Sequence, residues 1–396
     1  MNLILFDDPV VRKRLLPLTY TRPVSEIRVG ILTIREKWEK AASVPASILT
    51  ENYLASKFTL NVEEENILIN GSICPNPDLL KSIKQLKSGE GLMSQGKLVA
   101  AKVPKKGLVY PFTGEDLILN QYQKSEITFI DRPWHIFLEN GYEISKDFDL
   151  ITRGRKSKGI SDPHTIVYNP ENIFVEEGVK IRAAILNAEN GPIYIGKNVE
   201  IQEGAIIQGS AAFLENSVIT LGAKIRDNTT VGPFSKVGGE VKNSILFGYS
   251  NKQHEGFLGN SIIGEWCNIG ADANISNLKN NYANVKVWDY ETEHFIDSGL
   301  MFSGLIMGDH SKCGINTMIN TGTVIGVGCN IYGSGFPRNF IPSFSWGGAG
   351  GFTEFKLDKF CEVAERVMAR RDIEFSNQEK EIISHIAEVS KKFRKF

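Results

Sequence analysis

The sequence lacks several features that would assign it to a special class of protein. Its five cysteines are scattered without a CxxC pair, so neither zinc nor a disulfide framework is predicted, and a reducing compartment is expected. The 45 basic and 46 acidic residues nearly balance, which gives no electrostatic reason to propose nucleic acid or a membrane as partner. No apolar run approaches membrane-spanning length, and the six residues before Asp7 are too few for a secretory signal. We therefore expect a cytoplasmic protein.

What the chain does have is a six-residue spacing of aliphatic residues. It is clearest at Met307, Cys313, Ile319, Ile325 and Ile331. The same spacing occurs at Ile195, Ile201 and Ile207, at Ile225, Val231 and Val237, and at Ile263, Ile269 and Ile275. One short strand and one tight turn take six residues, so this period indicates a parallel β-helix with Gly and Asn at its corners. The alternative, an antiparallel β domain, would show a stronger two-residue alternation.

A chain of 396 residues is long for one core, so several domains are expected. Residues 1–152 alternate apolar runs with segments of helical spacing, which predicts a Rossmann-like α/β domain. The runs are Leu3 to Phe6, Ile67 to Ile69 and Ile127 to Ile130, and the helical segments are Val29 to Ala42 and Pro77 to Leu86. Residues 153–164 are predicted to form a linker and 165–350 the β-helix. Residues 351–396 are predicted to be helices that break near 372–377 and cap the last coil.

The segment Arg14 to Pro23, Arg-Leu-Leu-Pro-Leu-Thr-Tyr-Thr-Arg-Pro, resembles the start of sugar-phosphate nucleotidyltransferases. That resemblance implies a magnesium-assisted reaction in which a sugar 1-phosphate attacks the α-phosphorus of UTP or another nucleoside triphosphate. It makes Arg14 and Thr19 candidates for substrate binding. The alternative for Arg14 is a surface cation clustered with Arg12 and Lys13.

This front domain also departs from the family pattern. Asp7 to Lys13 stands where the family has a Gly-rich loop, and Val24 replaces the lysine that follows the proline. Ser72 stands where the family has an aspartate that binds magnesium. No metal ligand is therefore assigned, although Asp7 and Asp8 are a further option.

The run Asn251 to Lys279 resembles the acetyltransferase domain of the bifunctional GlmU proteins, a left-handed β-helix. The resemblance implies that His254 is the general base and that Asn277 contacts the sugar. Lys252 and Lys279 become candidates for binding the sugar phosphate. The alternative for His254 is a solvated loop histidine. Metal roles are not expected for His135, His164, His294 and His385, which have no companions at ligand spacing.

The resemblance implies acetyl transfer from acetyl-CoA to glucosamine 1-phosphate, followed by uridylyl transfer to the product, in a homotrimer that binds small sugar phosphates and nucleotides. Phe257 stands where the family has tyrosine, so one hydrogen bond to the sugar is expected to be missing. Residues 279–294 break the six-residue spacing and are predicted to form a substrate-binding arm. The alternatives are an acetyltransferase for another amino sugar, a glucose-1-phosphate thymidylyl- or uridylyltransferase-like protein, and a non-catalytic trimeric scaffold that binds sugar nucleotides.

Overall fold

The computed structural model describes residues 2–396 and divides the chain into two compact units. The front unit contains the chain up to Leu15, Thr19–Arg28 and Leu32–His135, and the solenoid unit contains Leu16–Leu18, Val29–Ile31 and Ile136–Phe396. Most of the helix Pro133–Thr152, which the sequence assigned to the front domain, therefore belongs to the solenoid unit. Within that unit Asn140 accepts a hydrogen bond from the amide of Gly30 and donates one to the carbonyl of Asn228.

The front unit is built on a mixed sheet, which agrees with the predicted α/β class. Its six strands, in spatial order, are Ala46–Leu49, Asn2–Phe6, Glu65–Asn70, Lys97–Pro104, Glu90–Ser94 and Ile118–Gln121. The first three run parallel, and Lys97–Pro104 runs antiparallel to its neighbour Glu65–Asn70. Its helices are Pro9–Arg14, Ile34–Ala42, Asn52–Ala55 and Pro77–Lys84. The apolar run Ile127 to Ile130 does not form a strand; Phe129 makes a single bridge, to Ile73.

The solenoid unit winds three parallel faces, which confirms the β-helix predicted from the six-residue spacing. Face 1 contains Ile166–Tyr168, Ile185–Asn187, Ile206–Gln208, Lys224–Ile225, Glu240–Lys242, Phe257–Gly259, Asn274–Ile275 and Met318–Ile319. Face 2 contains Ile173–Val175, Ile193–Ile195, Ala211–Phe213, Thr229–Val231, Ile245–Gly248, Ile262–Glu265, Leu305–Met307, Thr323–Ile325 and Phe340–Ile341. Face 3 contains Lys180–Ile181, Glu200–Ile201, Val218–Ile219, Lys236–Val237, Asn251–Lys252, Asn268–Ile269, Lys312–Cys313, Asn330–Ile331, Ser345–Gly348 and Gly351–Glu354. The aliphatic residues that set the spacing are stacked and buried in one core.

Two segments depart from the regular winding. Residues after Asn277 form an arm whose strands Lys286–Asp289 and His294–Asp297 pair antiparallel. At the end of face 3, Gly351–Glu354 pairs antiparallel with Ser345–Gly348. This strand, rather than the predicted helices, covers the last edge of face 3.

The C-terminal helices are Leu357–Ala369 and Asn377–Val389, so the predicted break is at the expected place. The second helix begins with a capping box between Ser376 and Glu379, which satisfies backbone amides of its first turn. Within residues 2–396 no helix is both long and apolar enough to cross a membrane.

Aromatic residues line the corner between faces 2 and 3. Phe234, Tyr249, Trp266 and His310 all have positive φ, between 54° and 61°. Their rings stack with centroid separations of 5.1, 4.3 and 6.2 Å in that order. A left-handed backbone costs roughly 1–2 kcal/mol for a residue with a side chain, and aromatic stacking worth about 0.5–1.5 kcal/mol per pair offsets much of it. The sequence predicted only Gly and Asn at such corners, as Asn198 is.

Candidate active site

His254 lies at the corner between faces 3 and 1, in the loop that joins Asn251–Lys252 to Phe257–Gly259. Its side chain is exposed to solvent. The loop closes tightly on the next coil, because a Cβ at Gly256 would lie 2.2 Å from the carbonyl oxygen of Ala273. With φ at 114°, this position requires glycine.

Lys252 lies beneath this corner and holds it from inside. It pairs with Val237 at an inward position of the stack and is only 1% exposed. Its Nζ donates hydrogen bonds to the carbonyl oxygens of His254 at 2.5 Å and Glu255 at 3.1 Å. Burial lowers the pKa of Lys252 to about 8. Binding of a sugar phosphate by Lys252 stays a prediction, but the contacts it makes are those of a residue that positions the loop.

The outer side of face 1 carries the other residues named from the sequence. Leu258 pairs with Ile275, so His254 and Asn277 lie on adjacent coils, as expected. His254 precedes the strand Phe257–Gly259 and Asn277 follows the strand above it, so the two border this surface from opposite ends. A Cβ at Gly259 would lie 2.6 Å from Cζ of Phe257 and 2.7 Å from Nδ2 of Asn277. The missing side chain of Gly259 therefore leaves room for these two groups.

Three asparagines take part in the hydrogen bonds that fix this surface, and one cation beside it was not predicted from the sequence. Asn277 donates from Nδ2 to Oδ1 of Asn260 at 2.8 Å, and Oδ1 of Asn274 accepts from the amide of Phe257 at 2.9 Å. Lys242 pairs with Gly259 and follows the inward Val241, so it lies on the outer side. The alternation of Lys242 with the inward Val241 along the strand would have predicted its outward position.

Lys279 lines a cavity of about 590 Å³ that we call the arm cavity. The cavity is formed by Lys279, Lys286, Phe295, Thr321, Arg338, Asn339 and Phe340. Three of these side chains are cationic, and Lys279 also donates from Nζ to the carbonyl oxygen of Asn284. The structure thus brings Asn277 and Lys279 to one end of face 1. Lys286 and Arg338 were not identified from the sequence, because neither lies in the run that carried the resemblance.

In the front unit, Asp7 and Arg12 form a buried ion pair. Nη1 of Arg12 lies 3.0 Å from Oδ2 of Asp7, and the two residues are 3% and 1% exposed. Asp7 also accepts hydrogen bonds from the hydroxyl of Thr50 and the amide of Val24. Because Arg12 is buried, it does not belong to a surface cluster of cations with Arg14 and Lys13, and that alternative is wrong in this respect. The Asp7–Arg12 pair instead fixes the loop that stands where the family has glycines. Asp8 instead caps the following helix.

The two substrate-binding candidates of the front unit lie in different surroundings. Thr19 is fully buried, its hydroxyl donates to the carbonyl oxygen of Arg12, and its own carbonyl accepts from the Arg12 guanidinium. Arg14 is the last residue of the helix Pro9–Arg14 and is partly exposed. A role in binding triphosphate stays a prediction for both residues.

The residues at the expected magnesium position do not fit that ion. Ser72 is buried, and both its amide and its hydroxyl donate to Oδ1 of Asn70. Both carboxylate oxygens of Asp7 are occupied by protein donors. Within residues 2–396 no group of three or more His, Cys, Asp or Glu side chains could hold a metal.

A charged cluster in the front unit was not predicted. Asp131 lies between the Lys97 ammonium, which donates to its Oδ2, and Nδ1 of His135, which is 2.9 Å from its Oδ1. No companion was predicted for His135, but Asp131 lies four residues before it, just ahead of the helix Pro133–Thr152, and that spacing was a usable signal. Lys97 is distant in sequence and could not be linked to them.

Comparison with known proteins supports the resemblances drawn from the sequence. Residues 3–156 match the family described as sugar nucleotidyl transferase. The bifunctional protein GlmU of Methanocaldococcus jannaschii is 34% identical over 105 residues, which cover 26% of this chain and 24% of that protein. A bifunctional sugar-1-phosphate nucleotidylyltransferase/acetyltransferase of Sulfurisphaera tokodaii is 34% identical over 110 residues, 27% of each chain. The chain thus spans about a quarter of the length of the curated relatives it matches, and the similarity to GlmU-type proteins is confirmed.

Two solved structures show weak similarity to this chain. The polysialic-acid-specific acetyltransferase NeuO has 15% identity and a TM-score of 0.27, over 50% of this chain and 85% of its own. The UDP-N-acetylglucosamine acyltransferase of Campylobacter jejuni has 15% identity and a TM-score of 0.25, over 58% and 96%.

Proposed function

We propose that this chain is a GlmU-type transferase whose solenoid unit transfers an acetyl group from acetyl-CoA to the amine of glucosamine 1-phosphate. The proposal is supported by the bifunctional names of its relatives. The observation that carries it is the exposed His254 on a corner that Lys252 holds from inside. Asn277 and Lys279 border the adjoining outer surface of face 1.

His254 acts as the general base in this proposal. The amino sugar arrives largely as an ammonium ion, and the neutral imidazole takes one proton from it. The free amine then attacks the thioester carbonyl, an amide C–N bond forms, and the C–S bond breaks. The attacking nitrogen loses its second proton to water as the amide forms, and the imidazolium returns the first proton to the departing thiolate. Acid–base catalysis of this kind contributes about 10²- to 10⁴-fold in rate.

The sugar phosphate is bound by the cations at the Asn277 end of face 1. Lys279, Lys286 and Arg338 line the arm cavity and supply the positive charge. Arg338 can bind two phosphate oxygens at once, whereas the lysines act as point charges. Phe257 offers an apolar surface where the family's tyrosine offers a hydroxyl.

A homotrimer completes this proposal. Leu221 and Ile315 occupy the same corner as His254 on other coils and are 64% and 70% exposed. An exposed apolar edge that carries the candidate base suits a boundary between subunits. Ile315→Glu is expected to lower the mass in light scattering from three chains to one, and Val389→Glu on the last helix, also exposed, should leave it unchanged.

The front unit transfers a uridylyl group from UTP to the acetylated product, with Arg14 at the triphosphate. The family match over residues 3–156 supports this second activity. It is tested by pyrophosphate release from UTP and N-acetylglucosamine 1-phosphate, where Arg14→Gln is expected to slow release and the neighbouring Lys13→Gln is not. Equal rates in the two variants would contradict the role of Arg14.

Free thiol release from acetyl-CoA and glucosamine 1-phosphate tests the acetyl transfer. Wild type is expected to release thiol, and His254→Ala to lose most of the rate. His164→Ala, another exposed histidine of the same unit, is the matched control and should retain it. A wild type that releases no more thiol than His254→Ala would refute the acetyltransferase proposal.

A further inference from the structure

A second cavity lies on face 3, beside the corner that carries His254. Its volume is about 240 Å³, and we call it the basic cavity. It is lined by Lys236, Tyr249, Asn251, Gln253, Trp266, Val367, Arg370 and Arg371. Lys236 and Asn251 come from two neighbouring strands of face 3, and the two arginines follow the helix Leu357–Ala369.

Three cations converge on this cavity without a counter-ion. Within residues 2–396, Lys236, Arg370 and Arg371 make no ion pair. Burial, and next the charge of Arg370, lower the pKa of Arg371. Burial raises the pKa of Tyr249, and the charges of Glu265 and Glu215 raise it further. Neither of these two carboxylates lines the cavity.

The C-terminal end of a helix favours cations, and this alone would explain one arginine there. It does not explain Lys236, which comes from a strand, or a lining without any carboxylate. It also does not explain Asn251, whose Oδ1 is buried and has no hydrogen-bond partner in the described residues. A buried acceptor without a partner costs about 1–3 kcal/mol, and a ligand that donates a hydrogen bond would remove this cost.

From this lining we infer that the basic cavity binds a diphosphate ester, with the diphosphate on Lys236, Arg370 and Arg371 and a ligand hydroxyl or amine donating to Asn251. The volume is below the roughly 300–1,000 Å³ of pockets that enclose a whole ligand, so the remainder of the ligand extends outside. Both faces of the Trp266 ring are covered, by Tyr249 and His310, so recognition relies on charge rather than on stacking of a base.

The cavity and the candidate active site share one strand. Asn251 lines the cavity, and the next residue, Lys252, supports the His254 carbonyl. Gln253 also lines the cavity, and its carbonyl oxygen accepts from the hydroxyl of Thr220 at 2.9 Å. A diphosphate bound here would therefore lie against residues that are one and three positions before His254 in the sequence. Two ligands of the proposed reactions carry this group, the acyl donor CoA and the sugar nucleotide.

Isothermal titration of the full-length protein with inorganic pyrophosphate tests the site. Wild type is expected to bind, and Arg370→Gln/Arg371→Gln is expected to weaken binding at least tenfold. Arg366→Gln is the matched control, because this exposed arginine of the same helix pairs only with Glu362 in the described residues. Lys236→Gln, on a strand rather than the helix, should weaken binding independently of any change in the helix.

Binding heat that is present in wild type but absent from the double variant comes from the basic cavity. Binding heat that the double variant retains comes from another site. Unchanged binding in both the double variant and Lys236→Gln would overturn the inference, as would no binding in wild type. Competition identifies the source: displacement of this pyrophosphate by CoA indicates the acyl donor, and displacement by UDP-N-acetylglucosamine indicates a sugar nucleotide. Displacement by neither would also overturn it. Because pyrophosphate binding is measured without turnover, its result does not depend on whether the protein transfers acetyl groups.

Discussion

Lys252 donates from Nζ to the carbonyl oxygen of His254 over 2.5 Å, although it occupies an inward position of the solenoid stack. A lysine in an aliphatic core is costly, because its ammonium loses hydration. Here the carbonyls of His254 and Glu255 replace part of that hydration. The ammonium of Lys252, which is costly to bury in an aliphatic core, thus fixes the loop that carries His254.

Lys252→Met is expected to lower kcat for acetyl transfer at least about tenfold, since tenfold corresponds to ~1.4 kcal/mol and hydrogen bonds to charged groups contribute ~1.5–3 kcal/mol. KM for acetyl-CoA should change little, because Lys252 would hold His254 rather than the substrate. Steady-state kinetics measure both constants. Lys180→Met, an exposed lysine on the same face, is the control. An unchanged kcat in Lys252→Met would show that the loop keeps its position without the ammonium.

The stability of the solenoid unit should rise with pH through the titration of Lys252. Its pKa falls from an ordinary 10.5 to about 8 on folding. Between these values the unfolded state binds more protons, so the free energy of unfolding increases with pH, while below pH 8 the cost of the buried charge is fully present. The wild type is therefore expected to gain up to about 3 kcal/mol relative to Lys252→Met from pH 8 to 10.5. Thermal unfolding curves of the two proteins that stay parallel over this range would contradict this.

Gly259→Ala is expected to raise KM for the sugar phosphate about tenfold while leaving the protein folded. The new Cβ would lie within 2.7 Å of both Phe257 and Asn277, and shifting them costs ~1.4 kcal/mol of binding for a tenfold effect. Gly350→Ala is the control, because its Cβ would meet nothing within 4 Å. Kinetics with varied glucosamine 1-phosphate measure the effect. Equal KM values in the two variants would show that this surface does not bind the sugar.

Arg12→Met is expected to destabilise the front unit by about 3–5 kcal/mol, because it leaves the Asp7 carboxylate buried without its cation. Differential scanning calorimetry should show the loss in one unfolding transition. Arg182→Met removes an exposed ion pair with Glu200 in the other unit and should cost less than about 1 kcal/mol. Similar losses in the two variants would mean that the burial of the Asp7–Arg12 pair has little energetic effect.

The solenoid could be predicted because every coil repeats the same physical requirement. Ile319, Ile325 and Ile331 each place one aliphatic side chain in the core at a fixed interval, so chance cannot easily imitate the pattern. The same periodicity could have located Lys252, six residues before the inward Leu258. Its inward position was not predicted because a charged residue is not expected in an aliphatic stack.

Other features depend on contacts between distant residues and could not be read from local patterns. Trp266 adopts a positive φ because its ring stacks on Tyr249 of the coil below, not because of its own preference. Arg370 and Arg371 form part of the basic cavity only after the last helices fold back along face 3. The burial of Arg12 likewise follows from Asp7, which comes from the end of the first strand.

The antiparallel strand Gly351–Glu354 has a consequence for how molecules of this protein meet. Every other pairing within the three faces is parallel, so the last coil would otherwise present a growing end that matches the first coil of another molecule. The reversed strand breaks that match, because its amides and carbonyls have the wrong polarity for a parallel partner. The stack is thereby terminated along face 3, and end-to-end growth into filaments is disfavoured there.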